Sequence, residues 1–365
     1  MRASRLRGLV AVVATALVSS VLLQAQASKA PVADAAMARN AALLRQLLKG
    51  GADANASQGD GMSALHWAAM HGDAAMTEML LVSGANPRAT TRIGGFTPLH
   101  LASQAGKAAA VSPLVKGAAV VDARTGTGAT ALMLAAGAGN AEIVRTLATA
   151  GAGLNLTETA HGQTALMFAA SLGRAEAVAA LLAAGADANV RSRVVDLSTV
   201  EVPEEVLQDE LRQQQNARSA AAKNEGGAPM PAAGATPEAG IAGVSRPFKY
   251  NELIGKHGGL TALHFAARQG AADTVRAIVD AGADVNGVSA GDQTTAMLIA
   301  AVNGHFDLVS YLLEKGGDPT LASDAGMTPL YAALNVQWAS KAFYPQPRAY
   351  LQQKTFEAHC TLSAA

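Results

Sequence analysis

The segment GFTPLHLASQAG, residues 95–106, is the clearest copy of a phrase that occurs seven times in this 365-residue chain. Successive copies begin 34, 33, 34, 97, 34 and 33 residues apart. A fixed period near 33 residues indicates a repeat protein in which each copy is one supersecondary unit. The 97-residue step indicates that one unit carries an insertion of about 64 residues. The copies begin at Gly61, Gly95, Gly128, Gly162, Gly259, Gln293 and Gly326.

Each phrase has the residues that start and stop a short helix. Thr97 is predicted to cap the first helix of its unit, and Pro98 suits the first helical position because its missing N–H needs no partner there. Leu99 and small neighbours then face the adjacent helix, and Gly106 ends the helix in a left-handed conformation. A second helix follows in most units, with apolar pairs such as Leu80-Leu81, and ends at another glycine.

These repeated residues closely resemble the ankyrin-repeat family, over about residues 31–189 and 258–335. The resemblance implies an all-α fold, an ankyrin-repeat α-solenoid of stacked helix-turn-helix units with β-turn or hairpin fingers. It also implies that the fingers and first helices form a concave surface that binds another protein. A catalytic site, a cofactor and a metal are not part of what the resemblance implies.

The two ends of the array depart from the phrase. The first unit lacks the phrase and is predicted to be an N-terminal cap. A stack needs capped ends, because each unit buries its apolar faces only against its neighbours. The last unit lacks the expected second helix, and either an atypical cap with a helix over 349–356 or a truncated reading frame would explain this. The predicted organisation is a signal peptide at 1–27, a cap plus four repeats at 28–190, an insertion at 191–257, two repeats plus an incomplete one at 258–340, and a tail at 341–365.

The N-terminus has the pattern of an export signal. Arg2, Arg5 and Arg7 precede an apolar run over 8–23, and Ala25-Gln26-Ala27 fits a cleavage site. The alternative is an uncleaved anchor, but about 16 apolar residues are short for a span of about 20. We therefore expect an exported bacterial protein, periplasmic or extracellular, without a membrane span after cleavage.

Charge and cysteine content restrict the classes of partner. Lys plus Arg and Asp plus Glu both number 28. Removal of the predicted signal would leave a slightly acidic chain, which does not favour nucleic acid or anionic lipid as a partner. Cys360 is the single cysteine, so an intramolecular disulfide is impossible.

Three histidines in register are the strongest hint of metal chemistry. His66, His100 and His264 occupy the same position of the phrase. Equivalent residues of neighbouring units should lie about 10 Å apart, whereas zinc ligands lie about 2 Å from the metal. A structural role is therefore expected. The glycine-rich stretch 124–128 lacks the Gly-Lys-Ser/Thr of a phosphate-binding loop, so we predict no catalytic, cofactor or metal residue.

Candidate partner-binding residues lie on the fingers, the first helices and the insertion. The insertion carries two aromatics beside two cations, and these could form a projecting arm, since aromatic and Arg residues dominate binding hot spots. Alternatively they fold back over the groove between the flanking repeats. The predicted partner-binding residues are Trp67, Met70, His71, Arg92, Phe96, Arg124, Thr157, Phe248 and Tyr250.

The pattern as a whole favours a non-catalytic protein–protein interaction scaffold. A chaperone-like or protective subunit of a larger periplasmic complex is the nearest alternative, and the sequence does not separate the two. An enzyme would require titratable groups that converge on one site, and the acidic residues are instead dispersed at capping and turn positions.

Overall fold

The computed structural model describes residues 30–197 and 255–338. These ranges contain fifteen helices and two short strands. The predicted signal peptide, the predicted tail 341–365 and most of the predicted insertion lie outside the described residues.

Helices occur in pairs that follow the sequence period. The first helices are α1 Pro31–Met37, α3 Ala64–His71, α5 Pro98–Gln104, α7 Ala131–Ala138, α9 Ala165–Ser171, α11 Ala262–Gln269, α13 Ala296–Val302 and α15 Pro329–Trp338. The second helices are α2 Ala41–Lys49, α4 Ala74–Val82, α6 Ala108–Lys116, α8 Ala141–Thr149, α10 Ala175–Ala183, α12 Ala272–Asp280 and α14 Phe306–Glu314. The strands are β1 Val194–Asp196 and β2 Lys256–Gly258.

The described chain forms two compact units. The first comprises the residues up to 188 together with 273–281, and the second comprises 189–272 and the residues from 282 onward. In the first unit, α1, α3, α5, α7 and α9 pack side by side in chain order, and α4, α6, α8 and α10 form a second row. Each first helix of this series also packs against the second helix that follows it. The predicted all-α stack of helix-turn-helix units is confirmed.

One leucine of each first helix lies at the centre of the core in the first unit, beside an equally buried leucine of the second helix. Leu65, Leu99, Leu132 and Leu166 are all fully buried, and each is followed by buried alanines on the same helix. Small residues beside each leucine let the helices approach closely, so dispersion contacts replace the bulk that aromatic side chains would supply. A chain with 4% aromatic residues can therefore still pack at native density.

The helix boundaries follow the predicted start and stop residues. The Thr97 hydroxyl accepts a hydrogen bond from the backbone N–H of His100 at the start of α5. Gly72 and Gly139 end α3 and α7 in the left-handed region, with φ of 75° and 78°. A residue with a side chain would be strained in this conformation at either position, which explains why the phrase ends in glycine.

The second unit contains the base of the insertion. There, α11, α13 and α15 pack side by side, and α14 packs against α13. Strands β1 and β2 pair antiparallel, with Val194 opposite Gly258 and Asp196 opposite Lys256. The two ends of the insertion are thus joined by a two-stranded ribbon that lengthens a finger. The sequence did not predict this ribbon, because its strands are only three residues long and about 60 residues apart.

The last described helix, α15, is longer than the other first helices. Gln337 stands where the earlier repeats have their terminating glycine, and α15 continues to Trp338. Tyr331 is 57% exposed, although the equivalent side chains of the preceding repeats are buried. The outer side of α15 is therefore uncovered within the described residues.

Candidate protein-binding surface

The fingers form a hydrogen-bonded series along each unit. Each finger is closed like a hairpin, for example by the Thr91 N–H donating to the Phe96 carbonyl at 2.9 Å. Neighbouring fingers are joined by one backbone bond, so the tips have fixed spacing. In the first unit the backbone N–H groups of Arg92, Gly126 and Thr159 donate to the backbone carbonyls of Asp60, Gly94 and Thr127, at 2.8, 2.8 and 3.0 Å. In the second unit the N–H groups of Ala290 and Asp324 donate to the carbonyls of Gly259 and Asp292, at 3.2 and 2.9 Å.

The histidines in register are buried links between fingers. Nδ1 of His100 accepts from the Thr97 backbone N–H at 3.0 Å. Its Nε2 lies 2.9 Å from the Ala123 carbonyl, which can only accept, so Nε2 carries the proton. His66 and His264 are held in the same way, with Nε2 of His66 at the Phe96 carbonyl and Nε2 of His264 at the Thr294 carbonyl. Both ring nitrogens are occupied, which leaves no lone pair for a metal.

Burial keeps these histidines neutral. It lowers the pKa of His66 and of His100, and it lowers the pKa of His264 to about 4. The carbonyl bonds act in the opposite direction, since they favour the protonated ring, but burial dominates. Within residues 30–197 and 255–338, no group of three His, Cys, Asp or Glu side chains is placed to hold a metal ion.

The repeats that begin at Gly128 and Gly162 have methionine at the histidine position. The sulfur of Met133 accepts from the Thr130 N–H at 3.4 Å but has no proton to donate to the next finger. Arg124 supplies a link instead, because Nη1 donates to the Thr157 carbonyl at 2.9 Å and to the Gly128 carbonyl at 3.3 Å. Two predicted partner-binding residues, Arg124 and Thr157, are therefore bonded to each other.

Four large apolar side chains form a column across the first helices of the first unit. We call this column the apolar ladder: Trp67 on α3, Leu101 on α5, Leu134 on α7 and Phe168 on α9. All four occupy the same repeat position and are half-buried, whereas the residues beside them are buried. Helices α3, α5, α7 and α9 contain no Asp, Glu, Lys or Arg. The ladder is therefore an uncharged surface that the fold leaves partly open to solvent.

The first rung of the ladder is fixed by polar contacts. Nε1 of Trp67 donates to the side-chain oxygen of Gln58 at 2.9 Å. The amide nitrogen of Gln58 donates in turn to Asp34 at 2.6 Å. The indole ring lies 5.9 Å from the ring of His71, between ring centres. The sequence identified Trp67, Met70 and His71 as partner-binding candidates, and all three lie half-buried on α3, but it missed the role of Gln58.

His71 differs from the buried histidines of the fingers. Its Nδ1 is buried and has no hydrogen-bond partner in the described parts of the chain. The pKa of His71 is lowered, chiefly by burial and next by the positive charge of Arg39. A neutral imidazole therefore borders the ladder at neutral pH.

The remaining predicted partner-binding residues are dispersed. Arg92 is exposed on its finger, whereas Phe96 is half-buried, with its ring against Gly94 and edge-on to His100 at 6.3 Å between ring centres. Phe248 and Tyr250 lie outside the described residues. The first unit therefore brings Trp67, Met70 and His71 together, and places the finger residues in series beside them.

Glu158 shows that a finger carboxylate can be wholly structural. It is buried, and its oxygens accept the backbone N–H groups of Ala160, His161 and Gln163. Burial alone would raise the pKa of Glu158, but these hydrogen bonds lower it overall. Its charge stabilises the turn and is withdrawn from solvent.

None of the described helices is both long and apolar enough to cross a membrane.

Comparison with known proteins agrees with this geometry. The family model described as Ankyrin repeats (3 copies) matches residues 32–125, 114–192 and 263–341. The human protein BCL-6 corepressor-like protein 1 is 40% identical over 75 residues, which is 20% of this chain. The chain spans only 4% of the length of that relative. Proteins built from ankyrin repeats are typically non-catalytic modules for protein–protein interaction. With the family's repeats matched over more than half of its length, this chain belongs to the ankyrin-repeat family.

Proposed function

We propose that this protein is a non-catalytic scaffold that binds one partner protein through the apolar ladder and the adjacent fingers of its first unit. The observation that supports this most directly is the ladder itself. Four large apolar side chains remain half-exposed in a row that is rigidly spaced by the helices beneath. The residue immediately before each ladder residue in the chain is buried, whereas the ladder side chain itself is left partly exposed.

The composition of the ladder suits a protein interface. Binding energy concentrates in a few aromatic and large apolar side chains surrounded by groups that exclude water. Full burial of one such side chain is worth about 1.5–3 kcal/mol, and because each of the four is already mostly buried, association can gain on the order of 1–4 kcal/mol from the ladder. The rigid fingers beside them reduce the entropy lost on binding.

We further propose that the protein acts outside the bacterial cytoplasm, in the periplasm or outside the cell. This proposal rests on the sequence of residues 1–27 alone, which lie outside the described residues. The test is cell fractionation followed by N-terminal sequencing of the mature chain. The expected mature N-terminus is Ser28, and an intact Met1 on a cytoplasmic protein would overturn the proposal.

Site-specific photo-crosslinking tests the binding role. A photo-reactive amino acid at position 70, next to the ladder, should give one stoichiometric adduct in cells. The same group at position 82 is the matched control, because Val82 is 90% exposed on the second-helix row. A variant that lacks residues 198–254 shows whether the insertion contributes to the partner's site.

The outcomes separate the three functional classes. One adduct at position 70 and none at position 82 supports a dedicated scaffold, and its loss on deletion of 198–254 assigns contacts to the insertion. Many unfolded proteins crosslinked at both positions would favour the chaperone-like alternative. Absence of any adduct, with turnover of a metabolite by the purified chain, would replace both with an enzyme.

A further inference from the structure

We infer that the occupant of the apolar ladder is an amphipathic α-helix of a partner protein, with apolar residues in a heptad pattern and acidic residues along the flank that faces the inter-helix turns. This inference rests on the proposed function and specifies its partner. It follows from three features of the first unit: the spacing of the ladder, the length of the first helices and the charges at the two edges.

The spacing of the ladder matches a helical repeat. Neighbouring first helices pack about 8–10 Å apart, so the rungs Trp67, Leu101, Leu134 and Phe168 recur at about that distance. A helix advances about 10.5 Å in seven residues, at 1.5 Å per residue. An extended strand repeats its side chains on one face about every 6.8 Å, which does not match. A heptad pattern therefore places one apolar residue on each rung.

The width of the ladder surface fits one helix. The first helices have seven or eight residues. At 1.5 Å per residue they are about 10–12 Å long, which is also the diameter of a helix with its side chains. A partner helix that crosses α3, α5, α7 and α9 would thus be bordered by the fingers on one side and by the inter-helix turns on the other.

The turn side carries exposed cations. Arg39, Lys107 and Arg174 lie in the turns that follow α1, α5 and α9. The Lys107 side chain lies against Gly72, and Nε of Arg174 donates to the Gly137 carbonyl at 3.3 Å, so each reaches back to the preceding repeat. We call these three residues the turn rim.

The finger side carries two further exposed cations. Arg92 and Arg124 are exposed on neighbouring fingers, and we call them the finger rim. Across the described ranges, the ion pairs that the chain forms involve none of the five rim cations. Arg124 and Arg174 already donate to backbone carbonyls, so Arg39, Lys107 and Arg92 are the rim cations best placed to meet a ligand.

The acids near the ladder are already engaged. Asp60 accepts the Met62 N–H, Asp73 accepts the Met76 N–H, and Glu158 accepts three backbone N–H groups. Glu176 belongs to a different surface, where it lines a cleft of about 620 Å³ between α8 and α10. A backbone hydrogen bond does not cancel the charge of a carboxylate, so the finger edge is balanced, with Arg92 and Arg124 against Asp60 and Glu158. The turn edge is positive, with three cations against Asp73, and acidic residues on the flank of the partner helix that faces the turns complement it.

Two synthetic helical peptides of about 28 residues, four heptads long, test the inference. Both carry leucine at the same heptad positions, and one has Glu and the other Lys at the flanking positions. Binding is measured with the full chain carrying Trp338→Phe, so that the fluorescence of Trp67 reports on the ladder, and in parallel by anisotropy of labelled peptide. The Glu peptide should bind about tenfold or more tightly than the Lys peptide at low salt, and the difference should shrink at high salt.

Matched variants separate the ladder from the rims. Leu134→Asp should weaken the Glu peptide at least tenfold, while Val82→Asp, an equally acidic change on an exposed apolar residue of α4, should change its Kd less than twofold. Because Leu134 is half-buried and its replacement could unfold the repeat, Lys107→Glu with Arg39→Glu provides a second test on exposed side chains of the turn rim. That double variant should lose the preference for the Glu peptide or reverse it.

Equal binding of the two peptides, or equal weakening by Val82→Asp and Leu134→Asp, would overturn the inference. The outcome of the crosslinking experiment does not depend on the outcome of the peptide experiment. If position 70 still captures a single partner while the peptides do not discriminate, the scaffold proposal stands and only the acidic helix is wrong. If the Glu peptide binds at the ladder but no cellular adduct forms, the surface is competent and the proposed cellular role is wrong.

Discussion

The repeats that begin at Gly95 and Gly128 fold alike but are linked to their neighbours by different chemistry. In the first, the histidine repeat, His100 caps its own helix and reaches the Ala123 carbonyl of the next finger. In the second, the methionine repeat, the sulfur of Met133 completes the cap, and the link across fingers comes from Arg124. Both helices nevertheless begin at a threonine, and both repeats place a left-handed glycine after the helix.

The difference separates what builds a repeat from what joins repeats. Threonine, leucine and glycine build the helix and its core, and they are common to both types. In these two repeats the residue three positions after the cap differs, and the next finger is held by a buried imidazole in one and by a surface guanidinium in the other. This difference also decides whether the link responds to pH, because imidazole titrates near neutrality and a thioether does not.

The largest expected effect tests the shared part of the two types. Leu99→Ala in the histidine repeat and Leu132→Ala in the methionine repeat each remove a fully buried side chain. Each should lower the free energy of unfolding by about 2–5 kcal/mol, because a cavity remains in a core that relaxes only partly. Leu166→Ala should behave in the same way. Urea unfolding gives the values, and Val82→Ala on the exposed end of α4 is the control that should change little.

If Leu132→Ala were harmless while Leu99→Ala was not, the two types would differ in their cores as well as their links. The histidine and methionine repeats would then not share one core.

The next effect concerns pH and should appear only where histidine is present. The pKa of His264 is lowered to about 4 from 6.5, so on acidification the unfolded chain takes up the proton before the folded chain does. The stability that depends on neutral His264 is complete above about pH 6.5 and is lost as the pH falls toward 4. Between pH 7 and pH 5 this should cost about 2 kcal/mol. His66 and His100 act in the same direction.

Urea midpoints at pH 7 and pH 5 for the wild type and for His264→Met measure this loss. The variant should be somewhat less stable at pH 7, because the bond to the Thr294 carbonyl is gone. Its further loss at pH 5 should be smaller than that of the wild type. An unchanged pH dependence would contradict the assignment of the shift to this buried ring.

A smaller effect is expected from the link that serves the methionine repeat. Arg124→Gln removes the guanidinium that bonds the Thr157 and Gly128 carbonyls and should cost about 1 kcal/mol. Arg92→Gln is the matched control, since Arg92 is an exposed cation one finger earlier whose side chain makes no hydrogen bond among the described residues. Amide hydrogen exchange at Thr159, which donates to Thr127, should accelerate in Arg124→Gln alone.

The parts of this architecture that depend on neighbouring residues were predictable from the sequence. Caps, glycine stops and buried leucines recur within twelve residues, and the structural role of the histidines followed from the distance between repeats. Links that a long side chain makes to a neighbouring repeat were not predictable. Arg124 meets Thr157 at a separation of 33 residues, and the Gln58 amide joins Trp67 to Asp34, because each depends on which rotamer a flexible side chain adopts on a neighbouring unit.

The smallest expected effect comes from converting one repeat type into the other. Met133→His would place an imidazole three residues after Thr130, which is the arrangement that Thr97 and His100 already form. Because methionine and histidine caps occur on equivalent helices of this chain, stability at pH 7 should change by about 1 kcal/mol or less. The variant should nevertheless become more sensitive to acid than the wild type, since a further buried ring must stay neutral. Urea unfolding at pH 7 and pH 5 measures both quantities. A large loss at pH 7 would mean that Met133 packs in a way that the histidine repeats do not, and that the link residue and the core are not separable.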